Sequence, residues 1–372
     1  MTAGADRPRV LLVCDWFLRY TVGLAGGLAQ HGSSVALLTR SHGLEFGSAP
    51  GAMREYVRAA LGPDVPHLRL GHRVRDPRAL PELLQARDAA RRLAPDVVHV
   101  QDSLVNDPRL FVAARAHPGR YALTVHDVET HPGDPRLSLR QRALRRALVR
   151  AAGLIFVHAE SLRERLIAQQ RPRAEVVVVP HGSDAPAVTP LPEHPSFLLF
   201  GRLSRYKGLD TLLEAMPLVW DQAPETRLTI AGNGKIPSHP ALADERVLVR
   251  NEYVPDADVP ALFGRATCVV LPYREASQSG VASLARSYGR GLVATRVGGL
   301  CELTHDDGVQ LVPPEDPRAL ADAMVTVART PELAARMSEA AAEAMRAELA
   351  WPRVAERTLA AYQRFLARDK PA

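Results

Sequence analysis

The 372-residue chain has few cysteines, few aromatic residues and no long apolar run. Its three cysteines, at positions 14, 268 and 301, are far apart, which indicates neither a disulfide framework nor a thiolate metal site. Aromatic residues make up only 5% of the chain, which disfavours nucleic acid as a partner. No apolar run reaches the roughly 20 residues that span a bilayer, and residues 1–8 lack the features of a signal peptide. We therefore expect a cytoplasmic protein.

Lysine is also scarce, since Lys207, Lys235 and Lys370 are the only lysines among 47 basic residues. With 41 acidic residues the formal net charge is +6, which suits an anionic substrate or an anionic membrane surface. A lysine in a chain that otherwise uses arginine is a candidate for a specific role.

Short apolar runs alternate with longer stretches of helical periodicity, such as 77–93, 208–216 and 280–288. The apolar runs predict buried strands at 10–14, 35–39, 97–101, 121–125, 154–158 and 176–179, and again at 197–200, 228–231, 247–250, 269–271, 292–295 and 309–312. This alternation is typical of α/β domains with parallel sheets. Four prolines interrupt it at 184–196 and indicate a linker.

We therefore predict two Rossmann-like domains, at 1–183 on the acceptor side and at 197–350 on the donor side, joined by the linker at 184–196. A final helix lies in 351–372, and one arrangement packs it back towards the N-terminal domain. Parallel sheets bind ligands beyond the carboxyl ends of their strands, so two facing domains place the site in a cleft.

The strongest motif follows a predicted strand and opens a predicted helix; it is Gly201-Arg202-Leu203-Ser204-Arg205-Tyr206-Lys207-Gly208. Gly201 permits a tight turn, and Gly208 permits close approach of the backbone to a ligand. Arg202 can hold phosphate oxygens in a bidentate way, and Lys207 supplies a compact charge. A helix start adds unpaired amides. The motif therefore predicts a diphosphate site, with a solvated basic loop as the alternative.

This loop and three further segments resemble the C-terminal domain of family 4 retaining glycosyltransferases, which have the GT-B fold. The further segments are 228–234, 271–273 leading to 293–299, and 308–317. The N-terminal half is similar more loosely, through Thr124-Val125-His126-Asp127 and Val179-Pro180-His181-Gly182. The resemblance implies transfer of a sugar, with retention and without a metal or other cofactor, from a nucleotide-diphosphate donor to an acceptor hydroxyl. The product would be a glycan, a glycolipid or a glycosylated metabolite.

Individual positions carry roles over from the family. Arg202 and Lys207 match the residues that bind the donor diphosphate, and His126 matches a histidine that reaches the donor sugar; these are the candidate catalytic residues. The candidate donor-binding residues are Gly201, Gly232, Glu275, Gln278, Ser279, Gly280 and Val281. The acceptor-side candidates are Asp15, Trp16 and Asp127.

The chain departs from the family pattern at two places. Two glutamates that the family usually has align with Ala276 and Leu284, and Leu284 cannot accept a hydrogen bond from a ribose hydroxyl. The glycine pair usual after the first strand is replaced by residues 15–20, while Gly26 and Gly27 fall within the first predicted helix.

Two short patterns are interpreted as helix starts. Asp256-Ala257-Asp258 has the Asp-x-Asp pattern of metal-dependent glycosyltransferases, but it precedes a predicted helix, where aspartate is a favoured cap. Ser161 and Glu164 have the spacing of a capping box. His131 and His181 are interpreted as structural histidines.

Six arginines lie in the segment from Arg136 to Arg150, which also has leucines at helical spacing. One interpretation is a basic amphipathic helix at the inner face of a membrane. The other is a core-facing leucine stripe with a solvated arginine face.

Two alternatives to a glycosyltransferase stay open at this point. One is a sugar-nucleotide epimerase or a phosphorylase of similar architecture, which would need no alcohol acceptor. The other is a non-catalytic sugar-nucleotide-binding protein, suggested by the missing glutamates.

Overall fold

The computed structural model describes residues 7–40, 51–72, 76–103, 107–114, 120–130, 137–184, 186, 188–304, 306 and 308–368. Their contacts divide them into two α/β units. The first unit holds the described residues up to Thr130, those from 137 to Gly182 and those from Trp351 onwards, and the second holds those from Ser183 to Ala350. The limits predicted for independent domains remain a prediction, since these units are defined by contacts alone.

The first unit contains a seven-stranded parallel sheet in the order β3-β2-β1-β4-β5-β6-β7. Its strands are β1 (Arg9–Cys14), β2 (Ser34–Arg40), β3 (His67–Leu70), β4 (Val97–Asp102), β5 (Arg120–Val125), β6 (Leu154–Val157) and β7 (Glu175–Val178). Its helices are α1 (Leu18–Gln30), α2 (Ala52–Leu61), α3 (Ala79–Leu93), α4 (Pro108–Ala114), α5 (Leu139–Ala151), α6 (Glu160–Gln170) and α12 (Trp351–Ala367). The strand order reverses between β1 and β4, which is where doubly wound sheets bind ligands.

Helix α12 completes the core on one face of this sheet, although it follows the whole second unit in the chain. It buries Leu359 and Tyr362 and packs along α1. Two glycines of α1 make room for its first turn. A Cβ at Gly27 would lie 2.5 Å from the Trp351 carbonyl oxygen, and one at Gly23 would lie 2.0 Å from the Trp351 ring. Close contact between the two helices therefore depends on these small residues.

The second unit contains a six-stranded parallel sheet in the order β10-β9-β8-β11-β12-β13. Its strands are β8 (Ser196–Phe200), β9 (Arg227–Ala231), β10 (Val247–Arg250), β11 (Cys268–Leu271), β12 (Gly291–Thr295) and β13 (Val309–Val312). Its helices are α7 (Leu209–Gln222), α8 (Val259–Gly264), α9 (Gly280–Ser287), α10 (Pro317–Arg329) and α11 (Pro331–Ala344). The reversal of strand order lies between β8 and β11.

Arg290 anchors the proline-rich linker to the second unit. Its side chain is completely buried and donates to the carbonyl oxygens of Phe263 and Thr189 at 2.8 and 2.9 Å, and to Thr189 Oγ1 at 2.5 Å. Longer bonds reach the carbonyls of Pro190 and Gly264. Prolines leave carbonyl groups without a ladder partner, and this guanidinium satisfies several of them.

Two sequence expectations on the elements were incomplete or wrong. Strand β3 was not predicted, because its edge position leaves three of its four residues only half-buried and the sequence there has no apolar run. Ser161 does not cap a helix: α6 begins at Glu160, and the cap position is Ala159, two residues before Ser161. A complete capping box occurs instead at the start of α5, between Ser138 and Gln141.

None of the helices in the described part of the chain has both the length and the apolar character needed to cross a bilayer.

Candidate active site

Two loops meet at the carboxyl end of the second sheet, where its strand order reverses. One follows β8 and carries Gly201 to Gly208, and the other follows β11 and leads to the start of α9. The loops contact each other directly, since the Arg274 amide donates to the Tyr206 carbonyl at 2.8 Å. The topology therefore brings together the two segments that the sequence predicts to bind a donor.

Lys207 is buried between two tyrosines. Its Nζ donates to Tyr273 Oη at 2.5 Å and lies 4.1 Å from the centroid of that ring, and the Tyr206 ring centroid is 5.5 Å away. Burial lowers the pKa of Lys207, an effect that Tyr206 opposes and Arg202 reinforces. The tyrosines thus form a cation–π cage around the ammonium group.

Arg202 lies on the exposed side of the same cage. Its guanidinium carbon is 6.0 Å from the centroid of Tyr206, so one aromatic ring adjoins both cations. A buried ammonium and an exposed guanidinium on one loop provide fixed positive charge and a flexible bidentate donor.

The start of α9 joins this arrangement through hydroxyl groups. Tyr273 Oη lies 3.4 Å from Ser279 Oγ, and Ser279 caps the helix by accepting from the Ala282 amide at 3.2 Å. Gly280 is exposed and Val281 is half-buried, and the first amides of a helix have no acceptor within it. The helix start therefore adds partial positive charge beside Lys207.

Glu275 and Gln278, the two polar donor-binding candidates of the loop before α9, are both half-buried. Gln278 Oε1 is buried without a hydrogen-bond partner among the described residues. This carbonyl oxygen therefore has an unused acceptor site, and a ligand hydroxyl or amine reaches it only if the loop moves.

The glycines at this edge serve contacts between loops. Gly201 has φ 100°, as its predicted tight turn requires, and a Cβ there would meet Val281 at 3.4 Å. A Cβ at Gly232 would lie 1.9 Å from the Gly201 carbonyl oxygen, and one at Gly208 would lie 1.8 Å from the Pro272 carbonyl oxygen. The structure thus requires both glycines for protein packing, and their close approach to a ligand stays a prediction.

Ala276 and Leu284, which stand where the family usually has glutamates, both pack against other parts of the second unit. Ala276 is buried, and a Cβ at Gly298 would lie 1.5 Å from its carbonyl oxygen. Leu284 is half-buried against the core beneath α9. Neither position presents a carboxylate.

In the first unit, His126 directly follows β5 and its side chain is completely buried. The Phe17 ring stacks on it with centroids 3.8 Å apart. Its Nε2 lies 3.0 Å from Gln101 Oε1, and its Nδ1 lies 3.1 Å from His158 Nε2. Its imidazole is therefore enclosed, and contact with a sugar requires Phe17 or Gln101 to move.

The acceptor-side candidates lie after β1 and β5. Asp15 accepts from the Asp107 amide at 2.8 Å, and burial raises the pKa of Asp15 more than this bond lowers it. Trp16 is 38% exposed. Asp127 is half-buried, and its carbonyl accepts from Arg145. Asp15 and Asp127 thus help to fix loops, and Trp16 presents an apolar surface to solvent.

Helix α5 carries most of the arginines of the predicted basic segment; Arg136 lies outside the described residues, as does His131. Arg145 is buried and forms an ion pair of 2.9 Å with Asp102, whose side chain is also buried. Arg140, Arg142, Arg146 and Arg150 are exposed. Arg145 is therefore a core residue, while the other four remain accessible to an anionic surface.

The aspartates of the Asp-x-Asp pattern precede α8. Asp258 occupies the cap position but makes no side-chain cap hydrogen bond, because its carboxylate accepts from Arg250 at 2.6 Å. Within the described residues no group of three or more His, Cys, Asp and Glu side chains is arranged to hold a metal ion.

The partners of the candidate residues were not predicted. Tyr273 at Lys207, and Phe17, Gln101 and His158 around His126, become visible only in the fold. Each lies at or just beyond the carboxyl end of a strand, which is the one signal that could have found them.

Comparisons with known proteins agree with this architecture. The family model described as Glycosyltransferase Family 4 matches residues 19–185, and the one described as Glycosyl transferases group 1 matches residues 194–330. Glycogen synthase of Mycobacterium tuberculosis is 32% identical over 291 residues, which cover 73% of this chain and 69% of that protein.

Solved structures share the fold. Sucrose-phosphate synthase from Thermosynechococcus elongatus has a TM-score of 0.74 at 18% identity, over 97% of this chain and 100% of that one. Anabaena HepE in complex with UDP-glucose has a TM-score of 0.71 at 17% identity, over 94% and 98% of the two chains. With its two parallel-sheet units and these relatives, the chain belongs to the family 4 glycosyltransferases of GT-B architecture and is itself a glycosyltransferase.

Proposed function

We propose that the enzyme transfers a sugar from a nucleotide-diphosphate donor to an acceptor hydroxyl, with retention at the anomeric carbon. The observation that supports the donor class most directly is the cage around Lys207, which joins a buried ammonium group to the start of α9. Arg202 on its exposed side would hold the diphosphate oxygens. Because HepE binds UDP-glucose, UDP-sugars are the first donors to test.

The proposed mechanism uses fixed charge in place of a protein base. As the glycosidic bond to the phosphate breaks, negative charge develops on the leaving diphosphate while the sugar acquires oxocarbenium character. Lys207, Arg202 and the first amides of α9 would stabilise that charge. We propose that these groups make a metal unnecessary. Retention is taken from the family resemblance, in which the leaving phosphate serves as base.

A contact with an anionic membrane through α5 is a separate proposal. It would use the exposed Arg140, Arg142, Arg146 and Arg150, all on a helix of the first unit. Such a contact would suit a lipid-linked acceptor.

The donor proposal is tested by a thermal-shift screen with UDP-, GDP- and ADP-sugars, followed by nucleotide-release assays with and without alcohol acceptors. A donor that binds the native state raises the melting temperature. Conversion of the sugar nucleotide into an isomer without an acceptor would identify an epimerase, and cleavage of a glycoside by inorganic phosphate would identify a phosphorylase. Binding without turnover across varied acceptors would identify a non-catalytic protein. Activity that is lost with EDTA and restored by a divalent ion would contradict metal independence. Retention would be contradicted if the anomeric proton coupling constant of the product indicates the configuration opposite to that of the donor.

A further inference from the structure

A chain of buried hydrogen bonds runs through the first unit, from a main-chain carbonyl to a side-chain amide. His158 Nδ1 lies 2.9 Å from the Val179 carbonyl oxygen, and His158 Nε2 lies 3.1 Å from His126 Nδ1. His126 Nε2 lies 3.0 Å from Gln101 Oε1. The side chains of His126 and Gln101 are completely buried, and His158 is 8% exposed.

The carbonyl at one end sets the direction of the whole chain. A carbonyl oxygen can only accept, so His158 Nδ1 carries the proton. In a neutral ring His158 Nε2 is then unprotonated and accepts from His126 Nδ1. A neutral His126 with its proton on Nδ1 has a bare Nε2.

The reverse direction fails for neutral rings. If His126 donated from Nε2 to Gln101, its bare Nδ1 would need a donor in His158 Nε2, and His158 Nδ1 would then face the Val179 carbonyl as a second acceptor. An extra proton would remove that conflict at the cost of a buried imidazolium. The surroundings do not favour it, because burial and the neighbouring rings of His181 and His99 lower the pKa of both histidines, with Asp127 as the one opposing charge at His158.

The amide of Gln101 supports the same direction from the other end. Its oxygen faces His126 Nε2, whereas its Nε2 is buried without a hydrogen-bond partner among the described residues. The two ends of a glutamine amide have nearly the same shape. Rotation of the amide by half a turn places the NH2 group against the bare His126 Nε2 and converts an acceptor–acceptor contact into a hydrogen bond.

We propose that His158 and Gln101 are positioning residues that hold His126 as a neutral imidazole, protonated on Nδ1 and an acceptor at Nε2. The proposal deepens the proposed function and rests on it for its catalytic consequence. His126 would accept a hydrogen bond from a donor-sugar hydroxyl that takes the place of the Gln101 amide. It would not supply a proton to the leaving diphosphate, because its only proton is committed to His158.

The test is nitrogen-15 NMR of the imidazole rings in the full chain at neutral pH, with His126 assigned by the loss of its signals in His126→Gln. We expect His126 Nε2 at the shift of a bare ring nitrogen and Nδ1 at that of a protonated one. A protonated Nε2, alone or together with Nδ1, would overturn the proposal.

Substitutions at His158 separate hydrogen-bond direction from packing. His158→Gln can donate to Val179 and accept from His126, so it should keep the His126 pattern and near-normal transfer. His158→Leu keeps much of the volume but neither bond, so His126 should become a tautomer mixture, with transfer slowed about tenfold. Unchanged His126 signals in folded His158→Leu would refute the positioning role; if that variant does not fold, His158→Met, which also has no N–H to donate to Val179, makes the same test.

A matched control comes from a second buried histidine. His99 Nδ1 and Nε2 each lie 2.6 Å from a hydroxyl, those of Tyr362 and Thr124, and hydroxyls impose no direction. His99→Leu should lower stability and leave the His126 signals in place; a change of tautomer at His126 would mean that packing, and not hydrogen-bond direction, controls it. If the thermal-shift screen finds no donor, the proposed function is wrong. The NMR experiment would still determine the tautomer of His126, so the two failures are distinguishable.

Discussion

Lys207 is placed so that its charge is fixed before a ligand arrives. One of its three N–H groups is committed to Tyr273, which leaves two for phosphate oxygens, and burial keeps the ammonium away from competing water. A buried ammonium that gains an anionic partner recovers part of its desolvation cost. The pKa of Lys207, lowered by burial in the free enzyme, should therefore rise when a diphosphate binds.

Lys207→Met should remove most transfer with little loss of stability, because methionine fills the cage without the charge. A charge-assisted hydrogen bond is worth about 1.5–3 kcal/mol, so kcat/KM should fall roughly tenfold to a hundredfold. Arg205→Met is the matched control, since Arg205 lies on the same turn and is exposed. Near-normal turnover by folded Lys207→Met would rule out its phosphate role.

Arg290 should matter for stability, because its guanidinium serves several carbonyl groups at once. Arg290→Met would leave the carbonyls of Phe263 and Thr189 buried and unpaired, so the free energy of unfolding should fall by about 3 kcal/mol. Urea unfolding of the variant measures this loss. Arg296→Met, an exposed change in the same unit, should have almost no effect, and equal losses for the two would contradict the anchoring role.

At the scale of elements, alanine substitutions at two glycines distinguish the cost of backbone strain from the cost of a clash between loops. Gly62, at the end of α2, has φ 86° with nothing within 4 Å of its would-be Cβ, and Gly208 has φ 66° with the Pro272 carbonyl 1.8 Å away. Gly62→Ala should cost about 1–3 kcal/mol from backbone strain alone, because its φ of 86° with a ψ of 167° is a conformation almost exclusive to glycine. Gly208→Ala should cost at least about 3 kcal/mol and should weaken donor binding, because it separates the loops after β8 and β11. If thermal unfolding shows equal losses of stability for the two variants, the loop after β11 moves aside at little cost.

Helix α5 combines one buried arginine with four exposed ones, and the two groups should respond differently. Replacing Arg140, Arg142, Arg146 and Arg150 by glutamine should abolish any sedimentation with anionic vesicles and leave the melting temperature nearly unchanged. Arg145→Met should do the reverse, because it leaves the Asp102 carboxylate buried without its partner, at a cost of about 3–5 kcal/mol. If the wild-type chain does not sediment with the vesicles, the membrane contact is wrong.

The elements were predictable from the sequence where a short apolar run marks them. Strands β8 to β13 coincide with the predicted runs to within one residue, and this holds even for the edge strand β10, where Leu248 and Val249 are exposed. Strand β3 was not predicted, because it lies at an edge of the sheet and has no apolar run. The loops of the candidate site were placed correctly after their strands, but the tyrosine cage and the chain from Val179 to Gln101 depend on hydrogen bonds between residues 21 to 66 positions apart. Local patterns contain no information about such contacts.

At the scale of the whole molecule, the buried histidines make the first unit acid-sensitive. Burial lowers the pKa of His99 and His158 to about 3 and that of His181 to about 4, from 6.5. Because the folded values are depressed, the unfolded chain binds more protons in this range, so stability is complete above pH 6.5 and falls as the pH drops towards 4. Each such histidine should contribute up to about 1.4 kcal/mol per pH unit.

Urea unfolding at pH 7, 6 and 5 checks this prediction, with tryptophan fluorescence reporting on each unit. Trp16 and Trp351 belong to the first unit and Trp220 to the second, so variants that retain one group of tryptophans follow one unit. The first unit should lose stability more steeply, and His158→Gln should reduce the slope. Parallel losses in both units, or an unchanged slope in the variant, would contradict the assignment to these histidines.

The position of α12 bears on the order in which the protein matures during synthesis. Translation delivers the strands of the first unit early, but the helix that covers α1 is encoded after the entire second unit. On the ribosome, the sheet made first must wait with part of one apolar face uncovered, while the sheet made later can finish within its own contiguous stretch. The first unit is thus synthesised first but completed last. Until α12 has been made, it is the unit most in need of a chaperone.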